Sequence, residues 1–209
     1  MRKKLLITGF EPFGKDIINS SWEAVSRLED RIGDYDLTKL LLPTVFGKAA
    51  ERVLEEAEML CPGVILCIGQ ASGRSAVTPE MVAVNLRYAS MEDNAGNKPQ
   101  DEPVVQGGDV AYFASVPVRK MVDALKANDI SGTVSYSAGT YVCNDLFYTL
   151  RHYYEGTETR VGFIHVPCLP EQVKEQASGM PLETTVRALS IVIEVLSENA
   201  EPDKSSAGL

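Results

Sequence analysis

Residues 64–68 read VILCI, an unbroken apolar run between Gly63 and Gly69. A strand apolar on both faces must be covered on both faces, which requires a sheet with helices above and below it. Residues 4–8 (KLLIT) and 160–166 (RVGFIHV) repeat this apolar character, and strands are also expected at 36–43, 80–86 and 132–136. Helical spacing alternates with them. Trp22, Val25, Leu28 and Ile32 form one stripe, with Ser20 or Ser21 as its cap, and Ala50, Val53, Leu54, Ala57 and Leu60 form another within 47–60. Further helices are expected at 117–128, 143–154 and 182–197, the last with Val186, Leu189, Ile193 and Leu196 turned inward. The fold class is therefore α/β, with a largely parallel sheet between helical layers, and ligands are expected beyond the carboxyl ends of the strands.

The 209 residues suit one domain over 1–198, followed by a polar tail over 199–209 that is expected to be disordered. Residues 88–110 are rich in Asn, Asp, Glu, Pro and Gly without periodicity, as in a functional or mobile loop. A net charge of −9 repels polyanions, which argues against nucleic acid and anionic membranes as partners. The opening MRKKLLITGF has only three consecutive apolar residues before Thr8, and no apolar run approaches the ~18 residues of a membrane span. A cytoplasmic protein is expected.

Several sites can be set aside. GFEPFG at 9–14 lacks the middle glycine of a dinucleotide fingerprint, and no phosphate-loop lysine follows a glycine-rich turn. Ser72 in GQASG falls one position late for a nucleophile elbow. Two histidines, and four cysteines without tight spacing, argue against zinc and against a disulfide framework. No cofactor is expected.

Cysteine chemistry is what remains. Such a hydrolase needs a thiol, a histidine to move its proton and a group to orient the histidine. Cys143, in SAGTYVCND, stands at the start of a helix, where free N–H groups and the positive dipole end favour a thiolate. Cys61 ends a helix and Cys67 lies inside a strand, the usual fate of a core cysteine, while Cys168 on a loop remains a rival. His152 lies nine residues beyond Cys143 on one helix, roughly 13 Å away, so the two cannot meet. His165 ends the run VGFIH at a strand edge, where a structural histidine and a catalytic one are equally in keeping with the sequence. Composition cannot choose the orienting acid among 29 carboxylates.

Six blocks then carry a resemblance: GFEPFG, LPTVFGKA, GQASGRSAVTPEMVAVN, DNAGNKPQDEPV, SAGTYVCND and GFIHVPCLPEQ, in that order over residues 4–172. Together they resemble the type I pyroglutamyl peptidases, or pyrrolidone-carboxylate peptidases. The resemblance implies a three-layer α/β/α sandwich and a cytoplasmic, metal-free thiol exopeptidase that removes amino-terminal pyroglutamate from peptides. It also implies a homodimer or homotetramer. By position it makes Cys143 the nucleophile, His165 the base and acid, and Glu80 the partner of the histidine. Phe10 and Phe13 would sandwich the lactam ring, although core packing is the commoner fate of a phenylalanine. Tyr141 stands where the family usually has Phe, and Gln70 is a candidate hydrogen-bonding partner.

The chain also departs from the family pattern. Met81 and Ser90 occupy positions where the family usually carries arginine, and Asn19-Ser20-Ser21 replaces Asn-Pro-Ser. An offset of three along an extended chain turns Arg87 away from Ser90, so Arg87 is no automatic substitute. Two alternatives stay open: a weakened protein that binds pyroglutamyl termini without cleaving them, and a cysteine amidase for another cyclic or small amide.

Overall fold

A computed structural model describes residues 2–174 and 179–197. The elements in chain order are β1 (Lys3–Phe10), α1 (Ser20–Ser26), β2 (Arg31–Ile32), β3 (Tyr35–Leu42), α2 (Lys48–Leu60), β4 (Val64–Gln70) and β5 (Thr78–Pro79). There follow β6 (Val82–Val84), β7 (Ala111–Phe113), α3 (Val118–Ala127), α4 (Val142–Tyr153), β8 (Arg160–Val166), a 3₁₀ turn at Pro170–Gln172 and α5 (Leu182–Ser197).

The main sheet has the order β2-β3-β1-β4-β8-β5. Its four central strands are parallel, and the short edge strands β2 and β5 run antiparallel to their neighbours. Every residue of β4 is buried, as are Leu5–Phe10 of β1 and Val161–Val166 of β8. These apolar runs therefore became central strands for the reason expected: side chains on both faces meet helices. Helix α5 packs on α1 and α3, and α2 packs on α4, which makes the two helical layers. The result is an α/β fold with a mixed, largely parallel sheet. No helix of the described residues is long and apolar enough to cross a membrane.

Local expectations fail where tertiary pairing overrides pattern. The stripe that begins at Trp22 does not run to Ile32, because α1 ends at Ser26 and Arg31–Ile32 pairs with Tyr35–Asp36 as β2. Ile32 is buried from that hairpin, so its helical spacing was coincidental. Asn19, not Ser20 or Ser21, caps α1: its side chain accepts from the Ser21 N–H. The run 80–86 is broken up. Val82–Val84 forms a separate two-stranded sheet with β7, while Glu80 makes only a bridge to Ser135. Residues 132–136 likewise contribute isolated bridges rather than a strand. Helix α4 begins one residue earlier than expected, at Val142. The expected tail at 199–209 lies outside the described residues.

Residues 88–110 contain no helix or strand, yet their polar composition has a structural use. Asp93 accepts from the N–H groups of Phe46, Ala95 and Asn97, and Asn94 bonds Glu11 and the carbonyl of Pro12. The loop is thereby tied to the segments that follow β1 and β3.

Candidate active site

The parallel strands β1, β4 and β8 all end at one edge of the sheet, where a cavity of about 130 Å³ opens. Cys143, His165, Gln70, Phe10, Phe13 and Tyr141 all line it, with Asn19, Thr44 and Ala138. Six residues singled out from the sequence, as far as 155 positions apart, thus meet in one place.

Cys143 arrives on the first turn of α4. Tyr141 is the extended cap residue, and the ladder of the helix begins with the Asp145 N–H donating to the Tyr141 carbonyl at 3.0 Å. The N–H groups of Val142, Cys143 and Asn144 consequently precede the ladder. Gly69 decides how close the sulfur comes. A Cβ at that position would lie 3.0 Å from Cys143 Sγ and 2.9 Å from the ring of Phe163, so only glycine lets the thiol settle on β4. Burial first, then the nearby charges of Glu80 and Cys67, push the Cys143 thiol up to about 12, with Arg74 pulling the other way. Burial thus acts on the thiol in the direction opposite to the pull expected of a helix start.

His165 sits opposite Gly69 in the β4–β8 register and is nearly fully buried. Its Nδ1 lies 2.7 Å from Glu80 Oε1. An ionised carboxylate only accepts, so Nδ1 carries the hydrogen and Nε2 is the nitrogen left with a free lone pair. Phe163 packs against the imidazole with ring centroids 4.9 Å apart. Burial lowers the pKa of His165, and Arg74 acts in the same direction, against the upward pull of Glu80. The ring is therefore neutral at pH 7.

Glu80 is completely buried. It follows β5, and its own N–H donates to the Phe163 carbonyl at 2.8 Å, which fixes it beside β8. Burial alone pushes its carboxyl up. The hydrogen bond and charge of His165, joined by Ser135 and Arg74, more than offset this and hold it below the ordinary range.

The cation beside Glu80 is Arg74, with Nη1 at 2.7 Å from Oε1. Sequence reasoning missed it, although Arg74 stands inside the quoted block GQASGRSAVTPEMVAVN. The positions that lack the family arginines do other things. Met81 is buried in the core and Ser90 is exposed on the loop. Arg87 pairs at 2.5 Å with buried Asp145, in the first turn of α4, and so supports the helix that presents Cys143.

The aromatic wall has its own supports. Tyr141 packs edge-on against Phe46 at 5.2 Å and lies 6.3 Å from Phe13. Its hydroxyl donates to the Glu92 carbonyl at 2.9 Å, binding the 88–110 loop to the cavity wall. Phe10 is both core and lining, being only 2% exposed. The amide of Gln70 is engaged at both ends: Oε1 accepts from the Ser20 N–H and Gln172 Nε2, and Nε2 donates to Asp16. Its role in the geometry is to join three loops. Thr44 also reaches the cavity, from the quoted block LPTVFGKA, and was not singled out from sequence.

The remaining thiols and the second histidine lie elsewhere. Cys168 is buried with its sulfur 3.4 Å from Ser72 Oγ, Cys67 is fully buried and Cys61 is exposed. His152 bonds Tyr112 at 3.0 Å toward the far end of α4. Among the described residues, no group of three or more His, Cys, Asp or Glu side chains is arranged to hold a metal ion.

The chain has counterparts among known proteins. The pyrrolidone-carboxylate peptidase of Brachyspira hyodysenteriae is 43% identical over 194 residues, covering 91% of this chain and 96% of that protein. The Bacillus subtilis protein of the same name is 41% identical over 212 residues, covering 100% and 99%. The crystal structure of pyroglutamyl peptidase I from Bacillus amyloliquefaciens superposes with a TM-score of 0.92 at 39% identity, covering 99% of this chain and 100% of that one. Residues 3–199 match the pyroglutamyl peptidase family as a whole, and the chain belongs to that family.

Proposed function

We propose that this chain is a cysteine exopeptidase that hydrolyses the amino-terminal pyroglutamyl residue from peptides, with Cys143 as nucleophile, His165 as base and acid, and Glu80 as the orienting carboxylate. The observation that carries this reading is the neutral, buried His165, held at Nδ1 by Glu80 and lining the same small cavity as Cys143.

In this mechanism His165 Nε2 takes the Cys143 proton as sulfur attacks the pyroglutamyl carbonyl carbon. The oxyanion forms next to the free N–H groups at the start of α4. The imidazolium then gives its proton to the departing peptide amine, and the C–N bond breaks to leave a thioester. Water, deprotonated by His165, attacks the thioester, releases pyroglutamate and returns the proton to sulfur. Glu80 holds the tautomer and offsets the transient imidazolium charge.

The lining matches the substrate class. A pyroglutamyl ring is a neutral lactam without a free amine, and among the described residues no carboxylate lines the cavity to hold an ammonium. Phe10, Phe13 and Tyr141 offer apolar faces, and Thr44 and Asn19 offer polar contacts. The proposal extends to a reduced, cytoplasmic setting, because the nucleophile must be a free thiol, and to a homo-oligomer, as the family resemblance implies. It takes residues 1–198 as one catalytic domain.

The test is release of a fluorogenic amine from its pyroglutamyl amide under reducing conditions. Activity is expected in the wild type and in Cys168→Ala, and is expected to vanish in Cys143→Ala. Persistence of activity in Cys143→Ala would overturn the assignment of the nucleophile. An inactive, folded and reduced wild type would overturn the peptidase reading.

A further inference from the structure

Arg74, on the loop between β4 and β5, reaches three parts of the site with one guanidinium. Nη1 donates to Glu80 Oε1 at 2.7 Å, the same oxygen that His165 Nδ1 meets at 2.7 Å. Nη1 also donates to Thr78 Oγ1 at 2.5 Å, and Nη2 donates to the Ser137 carbonyl at 3.2 Å. Thr78 is the residue opposite His165 in the β5–β8 register, and its hydroxyl donates to the His165 carbonyl at 3.2 Å. Ser137 precedes Ala138, which lines the cavity.

We propose that Arg74 is a positioning residue that acts through Glu80, orienting the carboxylate and sharing its charge so that His165 stays a neutral base in the resting enzyme. This rests on the assignment of His165 and Glu80 made above.

The physical reason lies in the shared oxygen. A buried carboxylate bonded to an imidazole, with no other cation near, draws a proton onto the ring, and an imidazolium cannot accept the proton of Cys143. A guanidinium on the same oxygen satisfies part of that negative charge and repels a second positive charge at the ring. Among the described residues, the ionisable groups around His165 are Glu80, Arg74 and the Cys143 thiol. Cys67 lies beyond Cys143, and Asp16 is engaged by Gln70 at the rim. Among the described residues, Arg74 is the one cation that acts on both His165 and Cys143, and it favours neutral His165 and ionised Cys143 alike. A purely structural clamp would hold the loop without this electrostatic effect.

The experiment follows the two histidine ring signals by NMR against pH in the resting protein, with His152→Gln identifying His165. It compares wild type with Arg74→Met, Arg74→Gln and Arg74→Lys, alongside the pH profile of kcat/KM. In Arg74→Met and Arg74→Gln the His165 midpoint is expected to move up and the acid limb of the profile to move with it. The loss is expected to be about tenfold at pH 6, the equivalent of one charge-assisted hydrogen bond, and smaller at pH 8. Arg74→Lys, which keeps the charge, is expected to restore most of the wild-type midpoint. Arg74→Gln keeps a donor for Glu80 and Thr78, and so carries the test if Arg74→Met does not fold. An unchanged His165 midpoint in a folded uncharged variant, with or without an activity loss uniform across pH, would overturn the proposal. The midpoint is read without substrate, so it decides the role of Arg74 even if Cys143→Ala shows that the peptidase assignment is wrong.

Discussion

His165 Nδ1 and Glu80 Oε1 stand 2.7 Å apart although 85 positions separate the two residues. What joins them is a two-residue strand. Thr78 and Pro79 pair antiparallel with His165 and Ile164, and Glu80 follows directly, with its carboxylate on Nδ1 of the ring. The short edge strand β5 therefore sets the geometry of the base.

That geometry makes Glu80→Gln an informative substitution. Glutamine keeps the volume but can present its amide to Nδ1 and stabilise the wrong tautomer. A fall in kcat of about 10³- to 10⁴-fold is expected, with KM nearly unchanged. Steady-state kinetics on the fluorogenic amide, with a thermal melt to verify folding, would measure it. A loss below tenfold would remove Glu80 from the mechanism.

Stability is expected to decline on acidification in two windows. The pKa of His165 is lowered in the folded state, so the unfolded chain binds the proton first as pH falls below the ordinary 6.5, and stability drops from there toward the lower folded value. Glu80 is also lowered. Its contribution is complete above the ordinary 4.5 and is lost as pH falls through the folded value. Because the two share a hydrogen bond, the transitions belong to the pair. Urea midpoints measured from pH 8 to pH 3 should show both declines, and Glu80→Gln should flatten the lower one.

Gly69→Ala should disturb the nucleophile directly. The added methyl would sit 3.0 Å from Cys143 Sγ and 2.9 Å from Phe163 Cζ, and both groups are packed too closely to yield freely. A destabilisation of about 1–3 kcal/mol is expected. Activity should fall by more than the unfolded fraction explains, because displacement of the sulfur by a few tenths of an ångström alters its approach to the carbonyl. Comparing denaturant curves with kcat at a temperature where the variant is fully folded separates the two effects.

Arg87→Met tests the support of α4. Asp145 is fully buried, and burial raises its pKa against the pull of the Gly47 N–H and of Arg87. Removing the guanidinium leaves a buried carboxylate with one backbone donor, at a cost of about 3 kcal/mol. The deficit relative to wild type should shrink at low pH, where the orphaned Asp145 takes up a proton. Melting temperatures at pH 8 and pH 5 would show whether it does.

Local pattern along the chain was enough for the layered architecture. Residues 64–68 and 160–166 are apolar at every position, which admits only a strand covered on both sides, and the stripe Ala50, Val53, Ala57 admits only a helix with one buried face. Local chemistry likewise narrowed the thiol to Cys143 or Cys168 and its possible histidine to His165, because a helix start and a strand end are visible in a few neighbouring residues, and the resemblance then favoured Cys143. Long-range contact was not legible in that way. Nothing local distinguishes Glu80 from 28 other carboxylates, so its selection in advance came from motif resemblance and not from physics. Arg74 passed unnoticed beside it, and Ile32 looked helical until β3 claimed it. Burial also works against the expected ionisation of Cys143, since the desolvation of a sulfur packed on Gly69 depends on how closely a helix and a strand approach. Periodicity encodes which face of an element is buried. Which side chains then meet across 85 residues, and at what charge, depends on strand register and packing distance, quantities that exist only once the sheet has formed.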